Sequence, residues 1–278
     1  MIGIGPRRTL EKYSIPVVAD RSSVGSNLQD QPTFSVSVPI SLPAGQQLIR
    51  ESESLTQLLQ EAAGPLSSFN GLIAFEKIPQ PFRGNFSRGC LKALDRVPTD
   101  WPEVEYLAAT QAGPAGSNLG TIQAALAAPL SRGKVTISSS SIADPPIFDM
   151  GWYTDKNAAD IQVAVVAVRR IRQALKFLAN ITNGAESVPG LSVQTEEDII
   201  AYIRNTTIPL YHAGGTCAMG NFNDSNAVVD GHARVIGVER LRVVDLSAVP
   251  FIPPGHPQAT VYMLAEKIAD DILKGLDG

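Results

Sequence analysis

Histidine, cysteine and aromatic residues are scarce in this 278-residue chain: three histidines, two cysteines and 6% Phe, Trp and Tyr. Two cysteines exclude a disulfide framework, and spacing alone cannot pair them, so free buried thiols are expected at Cys90 and Cys217. No histidine and cysteine spacing points to zinc, so no metal is expected. No block of lysine or arginine interrupts a net charge of −4, which argues against nucleic acid or an anionic membrane as the main partner and leaves small molecules. No run of about eighteen apolar residues occurs, so no membrane-spanning helix is expected. The start, Met1-Ile2-Gly3-Ile4-Gly5-Pro6-Arg7, lacks the apolar core of a signal peptide. Also missing is a strand, G-x-G-x-x-G turn and helix, the arrangement that lets backbone approach a pyrophosphate. Gly3-Ile4-Gly5-Pro6-Arg7-Arg8 comes near it, but Arg8 stands where the third glycine belongs.

What is present suits a globular chain. With 44% hydrophobic and 18% charged residues it can bury one or two ordinary cores, and nothing in the composition indicates disorder. Asn85-Phe86-Ser87, Asn180-Ile181-Thr182, Asn205-Thr206-Thr207 and Asn223-Asp224-Ser225 are glycosylation sequons that lean towards the secretory route. Pro6 is well placed to start a short helix over 7–13, and an apolar strand is expected over 15–19. A polar, glycine-bearing loop follows at 24–30. Residues 35–40 alternate as a strand, and 51–63 have helical spacing with Gly64 placed to stop them. Strands are expected over 103–110, 121–128 and 133–138, making the middle an antiparallel sheet, whereas 65–102 carry no clear pattern. Residues 156–179 form the longest helical pattern, with Ile161, Val165, Val168, Ile171, Leu175 and Leu178 as one apolar stripe. Thr195-Glu196-Glu197-Asp198 is a capping start for a helix over 199–204. Short β-branched runs at 228–230, 233–237 and 241–246 precede a last helix opened by Pro257, with Val261, Leu264, Ala265, Ile268, Ala269 and Ile272 on one face.

Candidate chemistry lies in the last seventy or so residues. His212, in Tyr211-His212-Ala213-Gly214-Gly215-Thr216, and His256, in Pro253-Pro254-Gly255-His256-Pro257, both sit at glycine or proline bends beside apolar segments, where scaffolds place ligand-contacting side chains. Imidazole exchanges protons near neutrality, so two that converge would suit proton transfer. Asp245 is expected to end a strand. The backbone N–H groups of Gln258, Ala259 and Thr260 open the last helix, where partial positive charge favours an anion or a reduced cofactor ring. Taken singly, each histidine also fits an ordinary structural role. His232 reads as a surface turn residue without a role, and Asp155, Asp160, Asp270 and Asp271 as solvated helix faces.

Val24-Gly25-Ser26-Asn27-Leu28-Gln29-Asp30, Leu130-Ser131-Arg132-Gly133-Lys134-Val135, residues 212–220, Val228-Val229-Asp230 and Leu241-Arg242-Val243-Val244-Asp245 with its continuation to Thr260 occur in one order. Together they resemble the glucose-methanol-choline (GMC) flavoprotein oxidoreductases, over the C-terminal half of a full-length member. Asp30-Gln31, Tyr211-His212 and Gly255-His256 look closest to the fungal glucose oxidase and aryl-alcohol oxidase types. The resemblance implies an α+β chain: residues 1–33 as a remnant of the FAD domain and its lid loop, 34–208 as an antiparallel-sheet substrate domain with helices, and 209–278 as a catalytic segment returning to an α/β FAD domain whose N-terminal Rossmann unit is absent. His212 matches the family's active-site histidine and His256 its second position. Asp245 and Leu246 match positions beside the cofactor's pyrophosphate and ribityl chain, and Pro257 and Gln258 match those under the pyrimidine edge of the ring. Arg234 and Val235 align with a stretch linked to oxygen reactivity.

The function so implied is oxidation of the CH–OH group of a small alcohol, with hydride passing to N5 of FAD, a histidine as base, and dioxygen or a quinone as electron acceptor. The chain is then expected to be a fragment of a longer enzyme, with substrate and oligomeric state open. Two other readings stand beside it: a non-redox lyase or cyclase using the same histidines with flavin as a spectator, and a truncated, non-catalytic remnant or interaction module.

Overall fold

A computed structural model describes residues 2–42, 52–62 and 71–275 of the chain. In order, the elements are β1 (Ile4–Gly5), α1 (Arg7–Lys12), β2 (Ala19–Asp20), β3 (Pro32–Ile40), α2 (Ser52–Glu61), β4 (Gly71–Glu76), α3 (Gln80–Arg83), α4 (Arg88–Leu94), β5 (Val104–Ala112), β6 (Asn118–Leu126), β7 (Lys134–Thr136), β8 (Ile147–Asp149), α5 (Ala159–Lys176), α6 (Glu196–Thr206), β9 (Ile208–Pro209) and α7 (Gln258–Leu273). Two further turns of 3-10 helix cover Pro114–Gly116 and Leu246–Ala248. The α+β class follows, with the antiparallel sheet in the middle of the chain. Gly64, the expected stop for α2, lies outside the described residues.

The chain divides into two compact units: Met1–Gln31, Ala128–Lys156 and Pro209–Gly278 form one, and Pro32–Ala127 with Asn157–Ile208 form the other. The block 34–208 is therefore interrupted, because 128–156 pairs with the N-terminal segment. Leu28 and Gly133 exchange backbone hydrogen bonds of 3.0 and 2.8 Å, and Val135 N–H donates to the Gly25 carbonyl at 2.7 Å.

In the second unit the sheet runs β4-β5-β6-β3-β9, with β3/β6, β5/β6 and β4/β5 antiparallel. Register sets Phe34 opposite Ala124, Val36 opposite Ile122 and Val104 opposite Leu126. Phe34, Val36, Val104, Ala124 and Leu126 are all buried, so these pairs form the sheet's share of the core. α5 lies against β3 and β6. Its stripe of Ile161, Val165, Val168 and Ile171 is buried, each side chain contributing roughly 1.5–3 kcal/mol on removal from water. Leu175 is half-buried and Leu178, beyond the helix end, is exposed, so the stripe is shorter than its sequence pattern. Asp160, expected to be solvated, is buried in the first turn of α5, where the helix's positive end favours a carboxylate. The cap of α6 is as expected: Thr195 Oγ1 accepts from Asp198 N–H and Asp198 accepts from Thr195 N–H, both at 3.1 Å. The patternless stretch before residue 102 holds β4, α3 and α4. β4 is a sheet-edge strand with Leu72, Ile73 and Phe75 exposed, so it lacks the one-sided burial that makes a strand legible.

In the first unit the strand expected over 15–19 is replaced by β2, which pairs in parallel with β1. Pro16 has no N–H to give to a ladder. The β-branched runs after residue 228 are not strands either. Met219↔Val229, Val229↔Val235 and Arg234↔Arg242 form isolated bridges around buried Val228, Val229, Val235 and Ala248. Reversals at Ala233, Gly237 and Arg240, with φ of +59°, +83° and +57°, keep each run too short for a ladder. Asp245 consequently does not end a strand. It caps the turn Leu246–Ala248, its carboxylate accepting from Ser247 N–H at 2.8 Å and Ser247 Oγ–H at 2.5 Å.

Candidate active site

Within the loop read from sequence over 24–30, Asn27 turns the chain at φ +59° and Leu28 and Gln29 form isolated bridges, so that 27–31 make a strap. Asn27, Gln29 and Gln31 each join the segment carrying His212 to the segment carrying His256. Asn27 Nδ2 donates to the carbonyls of Gly215 (3.1 Å) and Pro250 (3.2 Å). Gln29 pairs with Gly214 through both backbone hydrogen bonds, at 3.0 and 2.9 Å, while its side chain donates to the Pro250 carbonyl at 2.9 Å and accepts from Ile252 N–H at 3.4 Å. Gln31 Oε1 lies 2.7 Å from His212 Nδ1, and Gln31 Nε2 donates to the Gly255 carbonyl at 3.3 Å. Arg132 also holds the strap, its Nε donating to Asn27 Oδ1 at 3.0 Å.

The glycines of the His212 loop are required by these close approaches. A Cβ on Gly214 would lie 2.8 Å from the Leu246 carbonyl, and one on Gly215, at φ +81°, would lie 2.8 Å from the Asn27 carbonyl. Contact is made along the chain: Gly215, Cys217 and Met219 N–H donate to the carbonyls of Leu246, Ser247 and Ala248 at 3.1, 2.8 and 2.8 Å. Tyr211 adopts φ +65°, the left-handed region, and its side chain is exposed beside His212. Gly255, at φ +93°, makes the corresponding bend before His256 and α7.

These loops bring the two imidazoles together, centroids 4.8 Å apart and planes at 80°, edge to face. His212 is half-buried and His256 exposed. Burial, and secondarily the neighbouring His256, hold the His212 imidazolium below the usual histidine range, so the ring is neutral at neutral pH. Asp30, buried at 4% exposure, accepts from His212 N–H at 3.1 Å and Gln31 N–H at 2.8 Å. Burial pushes its carboxyl up, opposed by those N–H donors. Leu246 reaches the site through its carbonyl on Gly215. Pro257 is buried as the cap of α7, and Gln258 stands exposed at its first position.

Gln31 was not singled out from sequence as a site residue. The available signal was Asn27-x-Gln29-x-Gln31, three amides at alternate positions running into an apolar strand, where side chains about to be buried need partners. His232, read as roleless, also has a partner. Its Nδ1 lies 2.9 Å from Asp271 Oδ2, Lys267 pairs with the same carboxylate, and Asp271 is buried rather than solvated. This cluster tethers α7 to the turn at 231–232. Cys90 and Cys217 are free thiols, the first buried and the second half-buried.

Residues 129–265 match the GMC oxidoreductase family. The chain is 47% identical to dehydrogenase pkfF of Emericella nidulans, over 98% of this chain and 46% of that protein. Among solved structures, a formate oxidase matches with a TM-score of 0.83 at 22% identity, over 96% of this chain and 50% of that one. A fungal aryl-alcohol oxidase matches with a TM-score of 0.79 at 26% identity, over 99% and 52%. Residues 129–265 are thus a GMC oxidoreductase C-terminal domain, and the chain is similar over nearly its whole length to the C-terminal half of fungal members of that family, such as the glucose-methanol-choline family oxidoreductase mfmG of Annulohypoxylon moriforme at 42% identity. It spans about half the length of the curated relatives it matches.

Proposed function

We propose that this chain provides the proton-handling side of an FAD-dependent oxidation of a small alcohol, with His212 as the base. The observation that carries the reading is the edge-to-face pair of imidazoles at the start of α7. The residues around it suit a flavin by their chemistry: an exposed first helical turn at Gln258 and Ala259, and an exposed carboxylate at Asp245. Gln258 and Pro257 would face the pyrimidine edge, and Asp245 and Leu246 the ribityl and pyrophosphate groups. When bound, FAD supplies the two-electron acceptor for the carbinol hydride at N5, and dioxygen or a quinone reoxidises it.

His212 Nδ1 faces Gln31, so Nε2 is the nitrogen turned to a substrate. It takes the hydroxyl proton as the carbinol hydrogen leaves with its electron pair, and the alcohol becomes a carbonyl compound. His256, exposed beside it, orients the hydroxyl oxygen. The N-terminus of α7 stabilises negative charge arriving next to it. Since the proton acceptor is neutral imidazole with depressed proton affinity, the rate should stay level down to about pH 6.5, the ordinary histidine value, and fall only below it.

The test is stopped-flow flavin reduction in FAD-loaded protein, with the relatives' N-terminal half supplied in cis or in trans. His212→Ala should slow reduction by about 100- to 10,000-fold while flavin stays bound. Unchanged reduction removes His212 from the role. Turnover without bleaching of the flavin would favour the non-redox reading.

A further inference from the structure

We infer that Gln31 is the positioning residue of this site: its carboxamide, oriented by the Gly255 carbonyl, holds the His212 ring as the Nδ1–H tautomer and leaves Nε2 as the proton acceptor. The geometry admits one assignment. A backbone carbonyl only accepts, so the Gln31 edge 3.3 Å from Gly255 O must be the NH2 group. The other edge is then Oε1, which also only accepts, and it lies 2.7 Å from His212 Nδ1. Nδ1 must therefore carry a hydrogen. Turning the amide over would set two acceptors against each other at Gly255. Gln31 is 1% exposed, so water cannot replace the lost partner. Asp30 holds the main chain on both sides of the contact, through His212 N–H and Gln31 N–H.

The choice of an amide has a second consequence. A carboxylate at the same place would also accept from Nδ1–H, but its charge would raise the proton affinity of the imidazole. An amide orients the ring without doing so. One residue therefore aims Nε2, leaves it basic only to the extent the site requires, and ties the His212 loop to the Gly255 bend. The tautomer claim rests on geometry alone; its catalytic meaning rests on the proton transfer proposed above.

Long-range 1H–15N correlation spectra of 15N-histidine-labelled chain read the tautomer directly, and with three histidines each signal is assignable by single substitution. The expected result for His212 is protonated Nδ1 and unprotonated Nε2. Gln31→Met, of similar length, should shift the ring towards the Nε2–H tautomer. Gln31→Glu should keep Nδ1–H and move the His212 titration upward by about one pH unit or more. In the flavin-loaded enzyme, Gln31→Met should lower kcat for flavin reduction by about 10- to 100-fold with a smaller change in KM, and Gln31→Glu should move the acid limb upward. Finding the Nε2–H tautomer in the unaltered chain, or an unchanged tautomer in Gln31→Met, overturns the inference. The expected tautomer together with unchanged flavin reduction in His212→Ala sustains the tautomer assignment and removes His212 from the base role instead.

Discussion

Asp30 shows how a residue away from the reacting edge can govern the site. Its carboxylate is buried, accepts two main-chain N–H groups beside His212 and Gln31, and has its proton affinity raised by that burial. A carboxyl whose folded pKa lies above its unfolded value, near 3.9, adds stability below that value and loses it as pH rises through the folded pKa. At neutral pH the charge is therefore a cost and the acceptor oxygen the benefit. Asp30→Asn keeps the acceptor and removes the charge, so its Tm at pH 7 should equal or exceed that of the parent chain. Asp30→Leu leaves the two N–H groups without a buried acceptor and should lose about 1–3 kcal/mol for each in thermal denaturation. An Asn variant markedly less stable than the parent would show that the charge itself is favourable. At this scale His212 and His256 were legible because histidine is scarce in the chain and both lie at glycine or proline bends. Gln31 was not, because a glutamine becomes a positioning group only through what it touches.

Among the elements, helices with a sequence-local cause were readable and short bridged segments were not. The Thr195 capping box and the α5 stripe depend on residues three or four apart, so their causes lie within one stretch of chain. The strap at 27–31 depends on partners at 214–215 and 250–255, and nothing near it in sequence announces them. Gly215 joins the strap to the His212 loop, and its left-handed φ and the Asn27 carbonyl both exclude a side chain. Gly215→Ala should therefore lose about 1–3 kcal/mol in denaturant unfolding and broaden or shift the His212 ring signals. Gly231→Ala is the control: a Cβ there meets nothing within 4 Å, so stability should hardly change. Equal effects from the two substitutions would mean that the strap contact carries no special weight.

At the scale of the whole chain, the two units are interleaved in sequence. The first unit draws on three separate segments, including 209–278, which carries His212 and His256; the sheet of the second pairs residues between 32 and 126, closed by β9. A chain ending at Ile208 should accordingly retain the β3–β6 and β5–β6 pairing, seen as protected amides in hydrogen exchange, and lose protection at Gln29. Retained protection at Gln29, whose N–H donates to Gly214, would contradict this account. From the sequence alone came the central antiparallel sheet, the long helix and the bends that carry His212 and His256, since periodicity and bend residues act over a few positions, while the α+β class came from the family resemblance. Only tertiary structure decided that 128–156 joins the chain ends, that the valine runs after 228 make bridges rather than strands, and that Gln31 aims His212. Each of these turns on hydrogen bonds between groups far apart along the chain, which a one-dimensional pattern does not contain.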